Sequence, residues 1–203
     1  MGSGRGQDMR ELKSIEEKIL DRTLYLIGKK GTVNVPIRAI VQEAGVNISA
    51  INYYFRTKEE LLRHVKQFYV DNVLSTIHHL TDEKLEDEER LLGYANTVME
   101  YCIRFPGITV ILKDAQEHAD RDEMSRRILA VTQDMHEKLD EVLRRIIRND
   151  GEQYLMKRLI FLSSIVHPME EIRAENPSSS FLLQEEKRLE YIRRIIEMIR
   201  GKN

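Results

Sequence analysis

Side chains that can hydrogen-bond to bases and phosphates are concentrated within one short stretch of the first third of the chain. They share one side of a predicted helix and are Ser49, Asn52, Tyr53 and Arg56. The apolar residues between them recur at intervals of three and four and predict an inward stripe of Ile48, Ile51 and Phe55. This arrangement indicates a helix that presents hydroxyl, amide and guanidinium groups to a partner outside the protein.

The flanking sequence predicts how this helix is held. Pro36 suits the first turn of a preceding short helix, and Gly45 suits its end, where a left-handed residue is needed. Asn47 is a plausible cap for the polar helix. Thr57 and Glu60 have the spacing of a capping box and open a longer helix near Lys58. Two short helices joined by a glycine turn are typical of a helix-turn-helix, which places its second helix in the major groove of DNA.

Several residues of this motif have a possible role on DNA. Ile48 or Ala50 could contact a thymine methyl group, and Tyr53 and Tyr54 offer hydroxyls to phosphates or bases. Lys58 would meet a phosphate together with free backbone N–H groups at the start of its helix. The alternative is a structural helix-turn-helix that contacts no DNA.

The motif resembles the DNA-binding signature of TetR-type bacterial transcriptional regulators over roughly residues 12 to 64. The resemblance is carried by residues at fixed spacing, namely Ala44-Gly45-Val46-Asn47, Ile51, Tyr54-Phe55 and Lys58-Glu59-Glu60-Leu61. Ile19-Leu20, Leu24, Leu26-Ile27 and Lys30-Gly31 match the family's first helix. Three positions depart from the pattern: Pro36 replaces a phosphate-contacting Thr or Ser, Arg22 a small residue, and Asn52 a Tyr.

The resemblance implies an all-α fold with an N-terminal three-helix DNA-binding head and a larger helical ligand-binding and dimerisation half. The predicted boundaries are a flexible tail at 1–10, a helix-turn-helix domain at 11–57 and a helical domain at 58–203. The predicted DNA-binding residues are Arg38, Asn47, Ile48, Ser49, Asn52, Tyr53, Tyr54 and Lys58. Arg5, Arg10 and Lys13 could add a basic arm, although a solvated tail is the simpler interpretation.

Composition agrees with this class of protein. The 203 residues include four prolines and no tryptophan, and 33% are charged, which favours amphipathic helices. Residues 1–80 carry 12 basic and 9 acidic side chains, whereas the remainder carries 20 basic and 25 acidic ones. An excess of basic residues at one end is expected if that end binds DNA. Membrane spans and a signal peptide are not predicted, and the single Cys102 cannot form an intrachain disulfide, so we expect a cytoplasmic protein.

Periodicity predicts about nine helices. After the first at about 11–29 and the two of the motif, the fourth runs from Lys58 to about His79, and the charged run 81–90 is expected to be a solvated connection or a frayed helix end. Pro106-Gly107 ends the fifth helix, and Ile108 to about His118 forms the sixth. The seventh spans about 122–148 and the eighth about 152–173, where Pro168 should kink or end it. A loop at 176–180 leads into the ninth.

The larger half contains two apolar sets with possible functions. Methionine and aromatic residues on helices five to eight are either core side chains or the lining of a ligand pocket between these helices. The predicted pocket set is Met99, Cys102, Phe105, Ile111, Met135 and Leu139. Helices eight and nine carry more apolar surface than one core needs. The predicted homodimer interface is Leu159, Leu162, Ile165, Val166, Leu189, Ile192, Ile196 and Ile199. The alternative is that helix nine packs only on its own chain.

Other chemistry has little support in the sequence. His118 and Asp122 could pair on one helix face, but two ligands do not complete a zinc site, so neither a metal nor a cofactor is predicted. Nucleophile triads and glycine-rich phosphate loops are not recognised, and we do not expect an enzyme. The sequence therefore predicts a homodimeric TetR-like regulator, most simply a repressor, that binds a palindromic operator in double-stranded DNA and is released by an unknown small-molecule effector. The alternative is a DNA-bound interaction protein whose helical half binds another protein.

Overall fold

The computed structural model describes residues 14–148, 150–173 and 177–200, and this part of the chain is helical. Its nine α-helices are α1 (Ile15–Lys30), α2 (Ile37–Ala44), α3 (Ile48–Phe55), α4 (Lys58–Thr81), α5 (Asp87–Arg104), α6 (Ile108–His118), α7 (Glu123–Ile147), α8 (Gly151–Arg173) and α9 (Glu185–Arg200). A 3₁₀-helix, Pro177–Leu183, precedes α9. The predicted tail at 1–10, the basic arm of Arg5, Arg10 and Lys13, and the predicted start of the first helix lie outside the described residues. The all-α fold is confirmed.

Helices α1 to α3 form a compact head whose local signals follow the sequence closely. Ser14 caps α1 by accepting a hydrogen bond from the backbone N–H of Glu17 at 3.1 Å. Pro36 lies one position earlier than expected, as the extended residue before α2 rather than within its first turn. Gly45 ends α2 with a φ of 62°, a conformation that glycine adopts without steric cost.

The head continues into a larger helical body without a break in the apolar core. Ile19, Ile40, Ile51 and Phe55 of the head are fully buried in the same cluster as Ile111 of the body. α4 leaves the head and packs against α5 and α7, and α9 packs against α5 and α8. A movement of the body can therefore be transmitted to the head through packed side chains.

Three predicted interruptions belong wholly or partly to regular structure instead. The second half of the charged run 81–90 is the ordered start of α5, where Glu86 and Glu89 form a reciprocal capping box. Pro168 does not end α8, which continues to Arg173. Proline lacks the N–H that would bond to the carbonyl of Ser164, four residues earlier. The hydroxyl of Tyr191 on α9 donates to that carbonyl at 2.8 Å, so a neighbouring helix satisfies it. Of the predicted loop at 176–180, residues 177–180 belong to the 3₁₀-helix and 176 lies outside the described residues.

The apolar stripe of α9 lies inside its own chain, which corrects part of the predicted dimer interface. Ile192, Ile196 and Ile199 are at most 4% exposed, and Leu189 is half-buried. Ile165 of α8 is buried in the same core cluster. The stripe faces inward because α9 covers the apolar sides of α5 and α8. The exposed apolar side chains of α8 lie elsewhere and are Leu155, Met156, Leu159, Ile160 and Val166, while Leu162 is half-buried.

Candidate nucleic-acid interface and adjoining cleft

Helix α3 presents its polar side to solvent. The side-chain oxygen of Asn47 accepts a hydrogen bond from the N–H of Ala50 at 2.9 Å, which fixes the start of the helix. Ile51 and Phe55 are fully buried, so the opposite side of the helix must face outward. Ser49, Asn52 and Arg56 are exposed, and Tyr53 retains 81% of its side-chain accessibility. A large aromatic residue held in water on a short, capped helix is suited to contact with a partner.

Ile48 differs from its predicted inward position. It is 51% exposed because, as the first residue of α3, it lies at the open end of the helix rather than over the core. Tyr54 is half-buried, and its ring meets that of Tyr53 edge to face at 5.0 Å between centroids. Tyr54 thus supports Tyr53 from the side of the core.

The start of α4 adjoins the end of α3. Thr57 accepts a hydrogen bond from the N–H of Glu60 at 3.1 Å, so the predicted cap is present. The reciprocal half of the box is not: the carboxylate of Glu60 instead accepts hydrogen bonds from Arg63, and it lies 3.3 Å from His64. The hydrogen bond from Arg63 is the main reason why the pKa of Glu60 is lowered to about 2. A charged donor outcompetes a backbone N–H for this carboxylate.

Lys58 has a partner that the sequence did not indicate. Its ammonium group donates to the side-chain oxygen of Asn34 at 2.6 Å, across 24 positions of sequence. Asn34 is exposed in the segment between α1 and α2. The contact ties the start of α4 to the approach to α2, so Asn34, α3 and Lys58 lie at one end of the head. Arg38, on α2, is also exposed.

The predicted pocket set in the body does not surround one cavity. Met99, Phe105 and Leu139 are at most 3% exposed, and Cys102 and Met135 are half-buried. Cys102 and Phe105 line a cavity of about 20 Å³ together with Val166 and Met169. A space of this size has room for about one water molecule. Tight packing of these side chains within the core accounts for the difference.

A larger cleft, of about 420 Å³, lies where the head meets the body. It is lined by α1, α4, α6 and α7, and Ile111 is the one member of the predicted pocket set in its wall. Ligand sites commonly occupy about 300–1,000 Å³. The cleft is therefore large enough for a small molecule, at a position that sequence periodicity could not locate.

A polar network crosses the cleft. The ammonium group of Lys66 on α4 lies 2.9 Å from Asp114 of α6 and 2.8 Å from Asp122, and it donates to Ser125 at 3.1 Å. Partial burial alone would lower the pKa of Lys66, but the hydrogen bonds to Asp122 and Asp114 raise it. Partial burial would likewise raise the pKa of Asp122, yet the hydrogen bonds from Lys66 and Ser125 lower it to about 2. Lys66 and Asp122 are thus both charged at neutral pH.

Asp122 does not pair with His118 as the four-residue spacing suggested. α6 ends at His118, and Asp122 begins α7 by accepting hydrogen bonds from the backbone N–H groups of Met124 and Ser125. His118 turns back to its own helix, 2.7 Å from the carbonyl oxygen of Asp114. A cap at Asp122 could have been predicted, because aspartate is a preferred residue at helix starts.

Metal ligands and membrane spans can be assessed for the residues that the structure describes. Within them, His, Cys, Asp and Glu side chains form no group of three that could hold a metal ion. None of the helices in the same part of the chain is both long and apolar enough to span a bilayer.

The head matches a known family of proteins. Residues 19–65 fit the family model described as bacterial regulatory proteins, tetR family. The chain is 19% identical over 155 residues to the nucleoid occlusion factor SlmA of Vibrio vulnificus, spanning 76% of this chain and 79% of that protein. It is 22% identical over 151 residues to the corresponding factor of Escherichia coli O1:K1, spanning 74% and 76%.

Solved structures extend the likeness to the body. The TetR-family regulator PfmR of Thermus thermophilus superposes with a TM-score of 0.60 at 17% identity, covering 88% of this chain and 96% of that one. The TetR-family regulator SCO4454 of Streptomyces coelicolor superposes with a TM-score of 0.57 at 16% identity, covering 92% and 96%. At these identities the likeness shows the fold alone. The head, over residues 19–65, matches the tetR family of bacterial regulatory proteins, and the chain shares its fold with two solved regulators of that family.

Proposed function

We propose that this protein is a homodimeric transcriptional repressor that binds a palindromic operator through α3 and leaves it when a small molecule binds. The observation that carries the proposal is the exposed polar side of α3, with Tyr53 at its centre and Lys58 beside it. A helix of this width fits the major groove, and Lys58 with the free N–H groups of α4 is suited to a phosphate.

The second half of the proposal is a dimer. α8 carries an apolar stripe in which Leu155 and Leu159, one helical turn apart, are 55% and 60% exposed. Met156 and Ile160 repeat the spacing beside them. Two such stripes packed about a two-fold axis would bury this surface and hold two heads at a fixed distance. Heads about 34–36 Å apart reach successive major grooves on one side of DNA.

Release by a ligand requires that the body be mechanically joined to the head. The shared apolar core and the Lys66 network support such a joint, because both link α4 to α6 or α7. A ligand that favours another arrangement of α4 would change the spacing of the two heads and weaken operator binding by linkage.

The test begins with selection of bound sequences from random double-stranded DNA by the full-length protein. We expect an inverted repeat whose half-sites are about one helical turn apart. The same DNA then serves to screen small molecules for release. A selected pool without any shared sequence would contradict operator recognition.

A second candidate function is that of a DNA-bound interaction protein, whose helical half binds another protein. It is favoured by the likeness to SlmA, a nucleoid occlusion factor, over about three quarters of the chain. Exposed Phe181 and Leu183 on the 3₁₀-helix offer apolar surface outside α8 for such a partner. Transcription of the genes beside the bound sites separates the two candidates. Deletion of a repressor raises that transcription, whereas deletion of a protein that uses DNA only as a scaffold leaves it unchanged.

A further inference from the structure

We propose that the cleft between head and body is a binding site for a small lipophilic amine, whose ammonium group is held by Asp114. The inference rests on the proposed function for its regulatory meaning, but binding itself can be measured without DNA. It places the ligand between α1, α4, α6 and α7 instead of in the tightly packed interior of the body.

The walls of the cleft are suited to an apolar ligand body. Five side chains from four helices converge there, namely Ile27, Leu62, Val65, Ile111 and Met124. Leu62 and Met124 are only half-buried, so part of their apolar surface faces the open space. Covering this surface with a hydrocarbon or aromatic group is favourable in proportion to the area removed from water.

The charges on the inner wall select the sign of the ligand. Lys66 and Asp114 are little exposed, at 16% and 13% of their side chains, and Asp122 lies beside them. Two carboxylates share one ammonium group, which leaves one unit of negative charge next to the apolar wall. The lining also includes three exposed charged residues, namely Glu59, Arg63 and Arg121, and Arg63 is already engaged by Glu60. Water and salt screen these exposed charges more than the partly buried charges of the inner wall. An incoming cation would therefore be attracted, and an anion repelled, at the inner end of the cleft.

Hydrogen-bonding capacity leads to the same conclusion. The ammonium group of Lys66 has three N–H donors, and three acceptors surround it: Asp114, Asp122 and Ser125. Lys66 therefore has no donor left for a ligand. Each carboxylate accepts about four hydrogen bonds. Asp122 already accepts four, from Lys66, from the N–H groups of Met124 and Ser125, and from the Ser125 hydroxyl. The carboxylate of Asp114 is contacted by Lys66 and His118 and keeps acceptor capacity. A ligand that supplies donors, such as a primary amine, satisfies the site, whereas a carboxylate does not.

Occupation of this site would act on the DNA-binding end. The positive charge of an amine at Asp114 would compete with Lys66 for the carboxylate that ties α4 to α6. Lys66 lies about two turns along α4 from Lys58, so a loosened Lys66 changes the support of the head. The contact that the ligand would break to release the DNA is the ion pair between Lys66 and Asp114.

The experiment uses three probes that share a phenylbutyl chain and differ in their polar group: 4-phenylbutylamine, 4-phenylbutanol and 4-phenylbutanoate. Their affinities for the full-length protein are measured by titration calorimetry at pH 7. We expect the amine to bind about ten- to hundredfold more tightly than the alcohol, as for charge-assisted hydrogen bonds, and the carboxylate to bind most weakly. Asp114→Asn should reduce the preference for amine over alcohol to near unity. The matched control is Asp134→Asn, an exposed carboxylate of α7 outside the cleft, which should leave the preference unchanged.

A second variant tests the apolar wall of the cleft while leaving Asp114 in place. Met124→Trp adds bulk to this wall, so it should weaken the binding of all three probes by a similar factor and leave the order of their affinities unchanged. Equal binding of the three probes, tighter binding of the carboxylate, or an unchanged amine preference in Asp114→Asn would each overturn the proposal. If the amine binds as expected but does not release a selected operator, the site stands and the release step is wrong. If an operator is selected but no probe binds, the site is wrong and DNA recognition stands.

Discussion

Tyr53 is the side chain of α3 whose environment points most directly to a base contact. Its ring is braced by Tyr54, and the rest of it is in water. We expect Tyr53→Ala to lower affinity for a selected operator about tenfold and to leave affinity for unrelated DNA nearly unchanged, because lost base contacts reduce only specific binding. Fluorescence anisotropy with both DNAs measures this. A variant that binds the operator as the wild type does would remove Tyr53 from the recognition surface.

Lys58 should behave differently because a phosphate contact carries no sequence information. Lys58→Ala is expected to weaken binding to operator and unrelated DNA alike, and to reduce the slope of affinity against salt concentration by about one. Lys113→Ala, which removes a lysine from α6 in the body, is the matched control and should change neither quantity. Loss of operator binding alone would assign Lys58 to base recognition instead.

The sequence could predict these side chains where their signals are local. Asn47 and Thr57 cap the helices that follow them through bonds that reach only three residues. The partner of Glu60 was not predictable in the same way, since Arg63 and His64 compete with the backbone for it. The bond between Asn34 and Lys58 joins residues that are close only after folding.

Helix α1 meets the turn between α5 and α6 at backbone distance. A Cβ atom on Gly28 would lie 2.5 Å from the carbonyl carbon of Pro106, and one on Gly107 would lie 2.4 Å from the carbonyl oxygen of Leu24. Two glycines therefore allow a close contact between head and body. Sequence alone gave Gly107 only as a helix breaker.

Gly28→Ala should separate the head from the body. We expect the free energy of unfolding to fall by about 1–3 kcal/mol or more, as for overpacked cores, because the obstructing atoms belong to the backbone. Urea denaturation provides the measurement. Gly93→Ala is the control, since the three atoms nearest to its Cβ belong to the side chain of His79 and not to the backbone. Equal stability of the two variants would show that α1 does not approach the turn so closely.

Asp122 combines a helix cap with an ion pair, and its charge can be removed separately. Its pKa is lowered from 3.8 to about 2, so its charge contributes stability that is present above pH 4 and is lost as pH falls toward 2. Asp122→Asn keeps a capping oxygen but removes the charge, so the free energy of unfolding should depend less on pH in this window. The charge should contribute less than about 2 kcal/mol to that free energy, because the group is partly exposed. Chemical denaturation between pH 2 and 5 tests this. An unchanged pH profile would mean that the pair with Lys66 contributes little.

The pattern of apolar residues predicted where the helices lie in the sequence, but it did not always predict which elements they pack against. The bounds of α6 and α8 follow the predicted ranges closely, because periodicity and breakers are local. The stripe of α9 was equally clear, yet a stripe shows only that a helix is covered on one side. Whether its own chain or a second copy covers it depends on how α5 and α8 fold around it.

Dimerisation depends on which apolar surface remains once each chain has folded. Full burial of a large apolar side chain stabilises a complex by about 1.5–3 kcal/mol. Each side chain of α8 that stays exposed could contribute part of this free energy to dimerisation. Several pairs are needed to outweigh the cost of association, which is about 4–15 kcal/mol. The continuous stripe of Leu155, Met156, Leu159 and Ile160 supplies them on one helix.

Ile192 and Ile165 belong to the predicted dimer interface but are unsuitable positions for a variant that separates a dimer. Both are at most 1% exposed, so a charge at either should unfold the chain rather than separate two chains. We expect the double variant Leu155→Glu and Leu159→Glu to remain folded, to sediment as a monomer at micromolar concentration, and to bind a selected operator about 10²- to 10⁴-fold more weakly, because paired half-sites are lost. Leu74→Glu, which adds a charge at an exposed leucine of α4, is the control and should sediment as the wild type does. A wild type that is itself monomeric, or a double variant that remains dimeric and binds DNA normally, would move the interface away from α8.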